Sequence, residues 1–267
     1  MPELPDVETF RRYFQKHALH RRIADVIVAA PEMVKEGSAG ALGAALRGQV
    51  FRQAGRHGKY LLAATEGGGW LVLHFGMTGF LSYLDHPADI PPHVRLRILF
   101  DDGSALDYDN QRKFGEIRWT EDRKEFLKQK GLGPDALSSA TDVASLLAPR
   151  RGSVKGALMD QSLVSGIGNV YADEILFQAR VHPAAPVERL SPDDLERIAV
   201  WSRRVLETAI DHEADPESMP AGYLLPHRRK GEACPRCGGL VESLKVAGRT
   251  TYFCPFCQQS PWSCSST

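Results

Sequence analysis

No uninterrupted apolar stretch of this 267-residue chain approaches the ~20 residues that a helix needs to cross a bilayer, so no membrane span is expected. A basic, apolar leader is missing too. The first residues are acidic, which argues against a secretory signal and for a cytoplasmic protein. Cysteine is sparse. Of the five present, four fall in two close pairs, which speaks for a metal site rather than a disulfide-stapled scaffold. An excess of one charge is also absent, with 33 basic and 33 acidic residues, so any binding of a polyanion must rest on a local basic surface. Neither internal repeats nor low-complexity stretches occur. What remains, 43% hydrophobic and 25% charged, is the composition of an ordinary globular protein, long enough for two or three modest domains.

The stretch Pro2-Glu3-Leu4-Pro5-Asp6-Val7-Glu8 is dense in specific chemistry. Pro5 suits the first turn of a helix, and Asp6 and Glu8 suit the positive end of its dipole. Val7, Phe10 and Phe14 recur at helical spacing, predicting a helix to about His17 with one buried face. Pro2 and Glu3 would be anchored just outside its start. With Met1 removed, Pro2 offers a secondary amine beside a carboxylate. Such an amine attacks an aldehyde-like carbon and forms a cationic iminium, and Glu3 can carry proton transfers. An ordinary capped helix start is the alternative.

Residues 23–119 read mostly as strand. Val94, Leu96, Ile98 and Phe100 alternate with Arg95, Arg97 and Leu99, and Asp102-Gly103 offers a hairpin turn. Trp70-Leu71-Val72-Leu73-His74-Phe75 is continuously apolar, as a strand covered on both faces would be. Together with the first helix these strands predict a two-layer β-sandwich. Lys59, after Gly58, should start a strand beside a tight turn; by residue type alone it is an exposed lysine. His74 reads as a satisfied core histidine. Residues 121–130 form a short polar helix stopped by Gly131, and a Gly-Pro linker follows. Beyond it helices dominate, one capped at Ser191-Pro192-Asp193-Asp194 and running to about Asp211. Gly166-Ile167-Gly168-Asn169 is a glycine turn leading into a helix from Val170 to near Arg180, which Asn169 can cap and whose free N–H groups suit a phosphate. A plain helical hairpin would look the same.

Near the carboxy terminus stand Cys234-x2-Cys237 and, sixteen residues on, Cys254-x2-Cys257. That spacing suits one tetrahedral zinc in a closed, structural site, with a disulfide pairing as the alternative. Residues 241–246 and 250–253 can pair as strands, with Ala247-Gly248-Arg249 as their turn and Arg249 projecting from the tip. From His227 to Cys257 six basic residues face two acidic ones. A basic module of this kind fits phosphate binding on one face, and a solvated surface would look the same. Cys264 has no evident role.

Four separated stretches, in order, resemble the formamidopyrimidine-DNA glycosylase and endonuclease VIII family: the Pro2 terminus, the loops at His74-Phe75-Gly76-Met77-Thr78-Gly79 and Asn110-Gln111-Arg112-Lys113-Phe114-Gly115, the Gly166–Asn169 turn, and the cysteine hairpin with Arg249. The resemblance implies an α+β protein in three parts. These are a catalytic β-sandwich domain with a flanking helix (1–131), a helical helix-two-turn-helix DNA-binding domain (132–222), and a zinc ribbon with a carboxy-terminal tail (223–267).

It also implies a base-excision-repair glycosylase with abasic-site lyase activity, a monomer acting on double-stranded DNA with damaged bases or abasic sites, nucleoid-associated in a bacterium. Pro2 would be the nucleophile, Glu3 the acid–base partner, and Lys59 a phosphate contact near the lesion. His74 would lie near phosphate, Met77, Arg112 and Phe114 would enter the duplex to fill the void left by a flipped base, Lys155 would face the damaged nucleotide, and Asn169 and Arg249 would grip phosphates. Asp6 and Asn110 stand where better-known members more often carry Glu and Asp. Residues 219–233, matching a loop that covers an oxidised purine, are several residues shorter than usual. Two alternatives follow: a non-catalytic damaged-DNA binder, or an active enzyme for oxidised pyrimidines or bulky adducts rather than 8-oxoguanine.

Overall fold

The helix that the apolar spacing of the first residues predicts is present as α1 (Leu4–Ala18), with Val7, Phe14 and Ala18 fully buried. The computed structural model describes residues 1–259, so Cys264 lies outside the described residues. The chain divides into two units, one of residues 1–2 and 6–130, the other of residues 3–5 and 131 onward.

In the first unit α1 is followed by β1 (Ile23–Val28), β2 (Val34–Lys35), α2 (Ala39–Leu46), β3 (Phe51–His57), β4 (Tyr60–Thr65), β5 (Trp70–His74), β6 (Phe80–Leu84), β7 (Val94–Phe100), β8 (Ala105–Asp109), β9 (Glu116–Thr120) and α3 (Arg123–Gln129). One sheet has the order β2-β9-β5-β4-β3, the other β1-β7-β8-β6. All neighbours are antiparallel except β2 and β9. Leu61, Leu71, Leu73 and Ile117 of the first sheet share one core with Leu96, Ile98, Leu106 and Tyr108 of the second and with α1, which is the expected sandwich. The continuous apolar run of β5 has a direct cause. Leu71 and Leu73 face that core, while Val72 points the other way, onto Leu62 and Phe126 of α3.

The arginines of β7 depart from the alternation read in the sequence. Arg95 and Arg97 are only 8% and 3% exposed. Arg97 lies opposite Asp107 in the strand register and pairs with it at 2.7 Å, and Arg95 Nε donates to Asn110 O at 2.9 Å. This face is polar but covered, and each buried charge has a partner.

The second unit holds α4 (Val143–Leu147), α5 (Val154–Met159), α6 (Asn169–Ala179) and α7 (Pro192–Asp211), then the hairpin β10 (Glu242–Val246) and β11 (Arg249–Phe253). Ser191 and Asp194 form a reciprocal cap at the start of α7. Leu4 is buried in this unit's core. Gly166 makes room for it: φ is +115°, and a Cβ there would meet Leu4 Cδ1 at 2.5 Å. A smaller cluster of Phe177, Leu224, Cys234, Val241 and Cys254 lies under the hairpin.

Candidate functional site

The first turn of α6 has four backbone N–H groups with no partner inside the helix, and the residue before it is Gly168, which offers no capping side chain. Glu3 takes that role. Its carboxylate accepts from Gly168 N at 2.8 Å, Val170 N at 2.9 Å and Tyr171 N at 3.2 Å, and the residue is 1% exposed. Leu4 N donates to Gly166 O at 3.1 Å and fixes the same stretch. A carboxylate at a helix N-terminus is electrostatically favoured. Two readings of the sequence are thereby corrected. Asn169 is the first residue of the helix and not its cap, and the amides expected to receive a phosphate are bonded to the chain's own Glu3.

Asn169 instead uses its side chain laterally. Its Oδ1 accepts from Lys155 Nζ at 2.7 Å, and its Nδ2 donates to Thr250 O on β11 at 3.2 Å. Lys155 is fully buried and not on a surface that a nucleotide could reach. Three oxygens surround its Nζ: it donates to Asn169 Oδ1 and to Thr251 Oγ1, each at 2.7 Å, and is ion-paired with Asp173 Oδ1 at 2.6 Å. Asp173 also pairs with Arg228 at 2.8 Å and accepts from Tyr252 N at 3.1 Å. Burial pushes the Asp173 carboxyl up and the Lys155 ammonium down from their ordinary values, and their attraction opposes both shifts.

In the first unit, Lys59 sits in the β3–β4 turn after Gly58, whose φ is +54°. It is 9% exposed, so it is not the solvated lysine that residue type alone suggests. His74 ends β5, its ring 4.8 Å from that of Tyr60 and its Nδ1 accepting from Gly76 N at 3.3 Å. Burial lowers its pKa to about 4, with the Lys59 and Lys130 charges adding to the effect against Glu116. At neutral pH His74 is therefore an uncharged imidazole, able to donate a hydrogen bond but not to offer a cation.

Met77 and Phe114 are the exposed apolar tips that the sequence singles out, at 40% and 59% exposure. The structure brings their loops together. Arg112 N donates to Thr78 Oγ1 at 3.3 Å, and the Arg112 guanidinium lies 4.9 Å from the centroid of the Phe114 ring. Gly76 permits the approach, since a Cβ at its φ of +59° would meet Phe114 C at 2.4 Å. Asn110 underlies both loops. It is fully buried, and its Nδ2 donates to Phe75 O at 3.0 Å and to Tyr108 Oη at 2.8 Å. An amide can donate these bonds and an ionised carboxylate cannot, which accounts for Asn at this position.

The four paired cysteines converge. Their sulfurs lie within 4.8 Å of one another, with Cys234 to Cys257 at 3.8 Å and Cys237 to Cys254 at 3.5 Å. Tetrahedral zinc at Zn–S ≈ 2.3 Å requires S···S edges of about 3.8 Å, so the donor set fits that ion. All four positions are protein sulfur, which makes the centre closed and structural. The hairpin turn is tighter than the sequence suggests. Ala247 and Gly248 alone form it, with φ of +48° and +73°, and Arg249 is already paired with Val246 as the first residue of β11. Arg249 is exposed there.

Asp173, Arg228 and Thr251 escape a reading of motifs. Their one signal is that Asp173-Glu174 interrupts a helix that is apolar on every side, where acids must be paired.

Three family models match the chain in succession: the formamidopyrimidine-DNA glycosylase N-terminal domain over residues 1–117, the formamidopyrimidine-DNA glycosylase H2TH domain over 132–219, and a zinc finger found in FPG and IleRS over 231–259. The formamidopyrimidine-DNA glycosylase of Geobacter metallireducens is 38% identical, over 97% of this chain and 100% of that protein. That of Symbiobacterium thermophilum is 38% identical over 98% and 90%. Among solved structures, a complex of Lactococcus lactis Fpg with DNA containing an abasic site superposes with a TM-score of 0.85 at 28% identity, covering 97% of this chain and 100% of that one. MutM in complex with DNA containing carbocyclic 8-oxo-G gives 0.85 at 30%, with the same coverage.

Proposed function

The chain belongs to the formamidopyrimidine-DNA glycosylase family and is a base-excision-repair DNA glycosylase, and from that premise we propose that it works through an iminium on Pro2 and also cleaves the strand at abasic sites. The duplexes it takes carry damaged bases or abasic sites, as do those in the complexes of its structural relatives.

The observation that supports this reading most is the grip of α6 on Glu3. Three amides hold the carboxylate immobile at the positive end of a helix, one residue from Pro2. Once Met1 is removed, the Pro2 nitrogen is a secondary amine. Its lone pair attacks C1′, the glycosidic bond breaks, and the base leaves with that electron pair and takes up a proton. The Pro2 nitrogen gives up its own proton, and opening of the sugar ring, with O4′ taking up a proton, leaves an iminium cation between Pro2 and C1′. Its positive charge acidifies the C2′ proton. Loss of that proton expels the 3′ phosphate, and addition of water to the iminium at C1′ releases Pro2 as the free amine and leaves an aldehyde. The Glu3 carboxylate stabilises the cation and relays protons to the sugar. Positioning by backbone donors suits the first role especially, because a fixed negative charge needs no reorganisation as the cation forms.

Lys59, His74 and Arg249 contribute phosphate contacts, and Met77, Arg112 and Phe114 fill the duplex where the nucleotide leaves the stack. Zinc on Cys234, Cys237, Cys254 and Cys257 holds the hairpin and takes no part in the chemistry. Borohydride reduction during turnover of abasic DNA tests the assignment. A covalent adduct mapping to residue 2 of the Met1-processed protein is expected; an adduct mapping to a lysine would overturn it.

A further inference from the structure

We propose that Asp173 is the positioning residue that sets the grip of the zinc hairpin on DNA phosphate, and that Lys155 works through it without touching DNA. The inference rests on the reading above that Arg249 holds a phosphate.

Asp173 lies one turn into α6 and is 1% exposed. Its Oδ1 meets Lys155 Nζ, and its Oδ2 receives Arg228 Nε at 2.9 Å and Tyr252 N at 3.1 Å. Lys155 passes the connection on to Thr251 Oγ1, and Asn169 Nδ2 reaches Thr250 O. The Arg228 guanidinium covers the Tyr252 ring at 4.9 Å. Thr250, Thr251 and Tyr252, the three residues that follow Arg249, are thus each fastened to α6 or to a side chain that Asp173 holds. Zinc fixes the far end of the hairpin, at the cysteines. This cluster fixes the near end, where Arg249 emerges.

The turn of α6 just before Asp173 carries Glu3 on its backbone amides. Two successive turns of one helix therefore reference the catalytic carboxylate and the phosphate-gripping strand. The charges balance: the carboxylates of Asp173 and Glu3 stand against Lys155 and Arg228. Removing one carboxylate leaves a buried cation unpaired, and the hairpin backbone must shift to let water or an anion reach it. Lys155 is fully buried, with Asn169 Oδ1, Thr251 Oγ1 and Asp173 Oδ1 around its Nζ.

Binding of a duplex carrying a tetrahydrofuran abasic analogue, titrated in salt, tests this, with zinc content measured on every variant. Arg249→Ala is the reference: it should weaken binding and shallow the log–log salt slope by about one. Asp173→Asn should weaken binding by about tenfold, shallow the slope by a similar amount, and add little on top of Arg249→Ala. Thr251→Val, which removes the hydroxyl that accepts from Lys155 and donates to Arg249 O at 3.2 Å, should act in the same direction more weakly and serves if Asp173→Asn does not fold. A merely structural residue would lower the active fraction and leave the salt slope unchanged. Full additivity with Arg249→Ala, or an unchanged slope in both variants, overturns the proposal. No effect of Arg249→Ala itself would overturn the phosphate reading beneath it.

Discussion

Glu174 lies wholly inside α6, its carboxylate accepting from Leu225 N and from Gln178 Nε2, each at 2.8 Å. Burial outweighs those donors and the Arg236 charge, and pushes its pKa up to about 7 from 4.5. Below 4.5 the carboxyl is protonated in both folded and unfolded chains and adds no pH dependence. Between 4.5 and 7 the folded chain keeps a proton that the unfolded chain has released, so this residue makes stability fall as pH rises. Above 7 the penalty is complete, on the order of 3 kcal/mol. Melting temperatures from pH 5 to 8 check this: the difference between the parent and Glu174→Gln should shift in favour of the variant as pH rises toward 7, then level off. A difference independent of pH would refute the assignment. At this scale the sequence reveals residue types more readily than partners. Glu3 beside Pro2 is legible because both belong to one short motif. The amides that hold Glu3 lie more than 160 residues away, and nothing in local spacing points to them.

Among the elements, the cysteine hairpin was the most legible, since two Cys-x2-Cys pairs fix both a metal and a fold. β5 was legible for a similar reason, as an apolar run too continuous for a one-sided strand. The start of α6 was not, because Asn169 is a good cap by type and only the intrusion of Glu3 displaces it. The hairpin itself has little core beyond the five-residue cluster that includes Cys234 and Cys254, too few to order it unaided. Cys237→Ser should therefore release zinc, unfold the two strands, and weaken DNA binding at least as much as Arg249→Ala does. Metal analysis together with duplex titration checks this; full binding by zinc-free protein would show that the ribbon orders itself.

At the scale of the whole molecule, a chain of zero net charge must bind DNA through localised features, and under the proposed function lesion choice falls to whatever surrounds the damaged base. Residues 219–233 are the stretch whose shortness the sequence already marks. They are also fastened down. Met219, Leu224 and Leu225 are buried, Leu225 N is bonded to Glu174, Gln178 Nε2 donates to Gly222 O at 3.1 Å, and Pro226 is the second residue of a single 3-10 turn. A cover that must close over a base needs freedom before binding and donors to offer after it. Here the backbone groups at 222 and 225 are already committed to α6. An oxidised purine differs from guanine by a few atoms, so its selection depends on such donors, whereas an abasic site presents no base to read. The expected outcome is efficient cleavage at abasic sites and 8-oxoguanine excision slower by at least about tenfold, or ~1.4 kcal/mol in the barrier. Single-turnover rates on matched duplexes decide it. Equal rates for an abasic site and for 8-oxoguanine opposite cytosine would mean that other residues read the base, and that the fastening of this segment has no bearing on lesion choice.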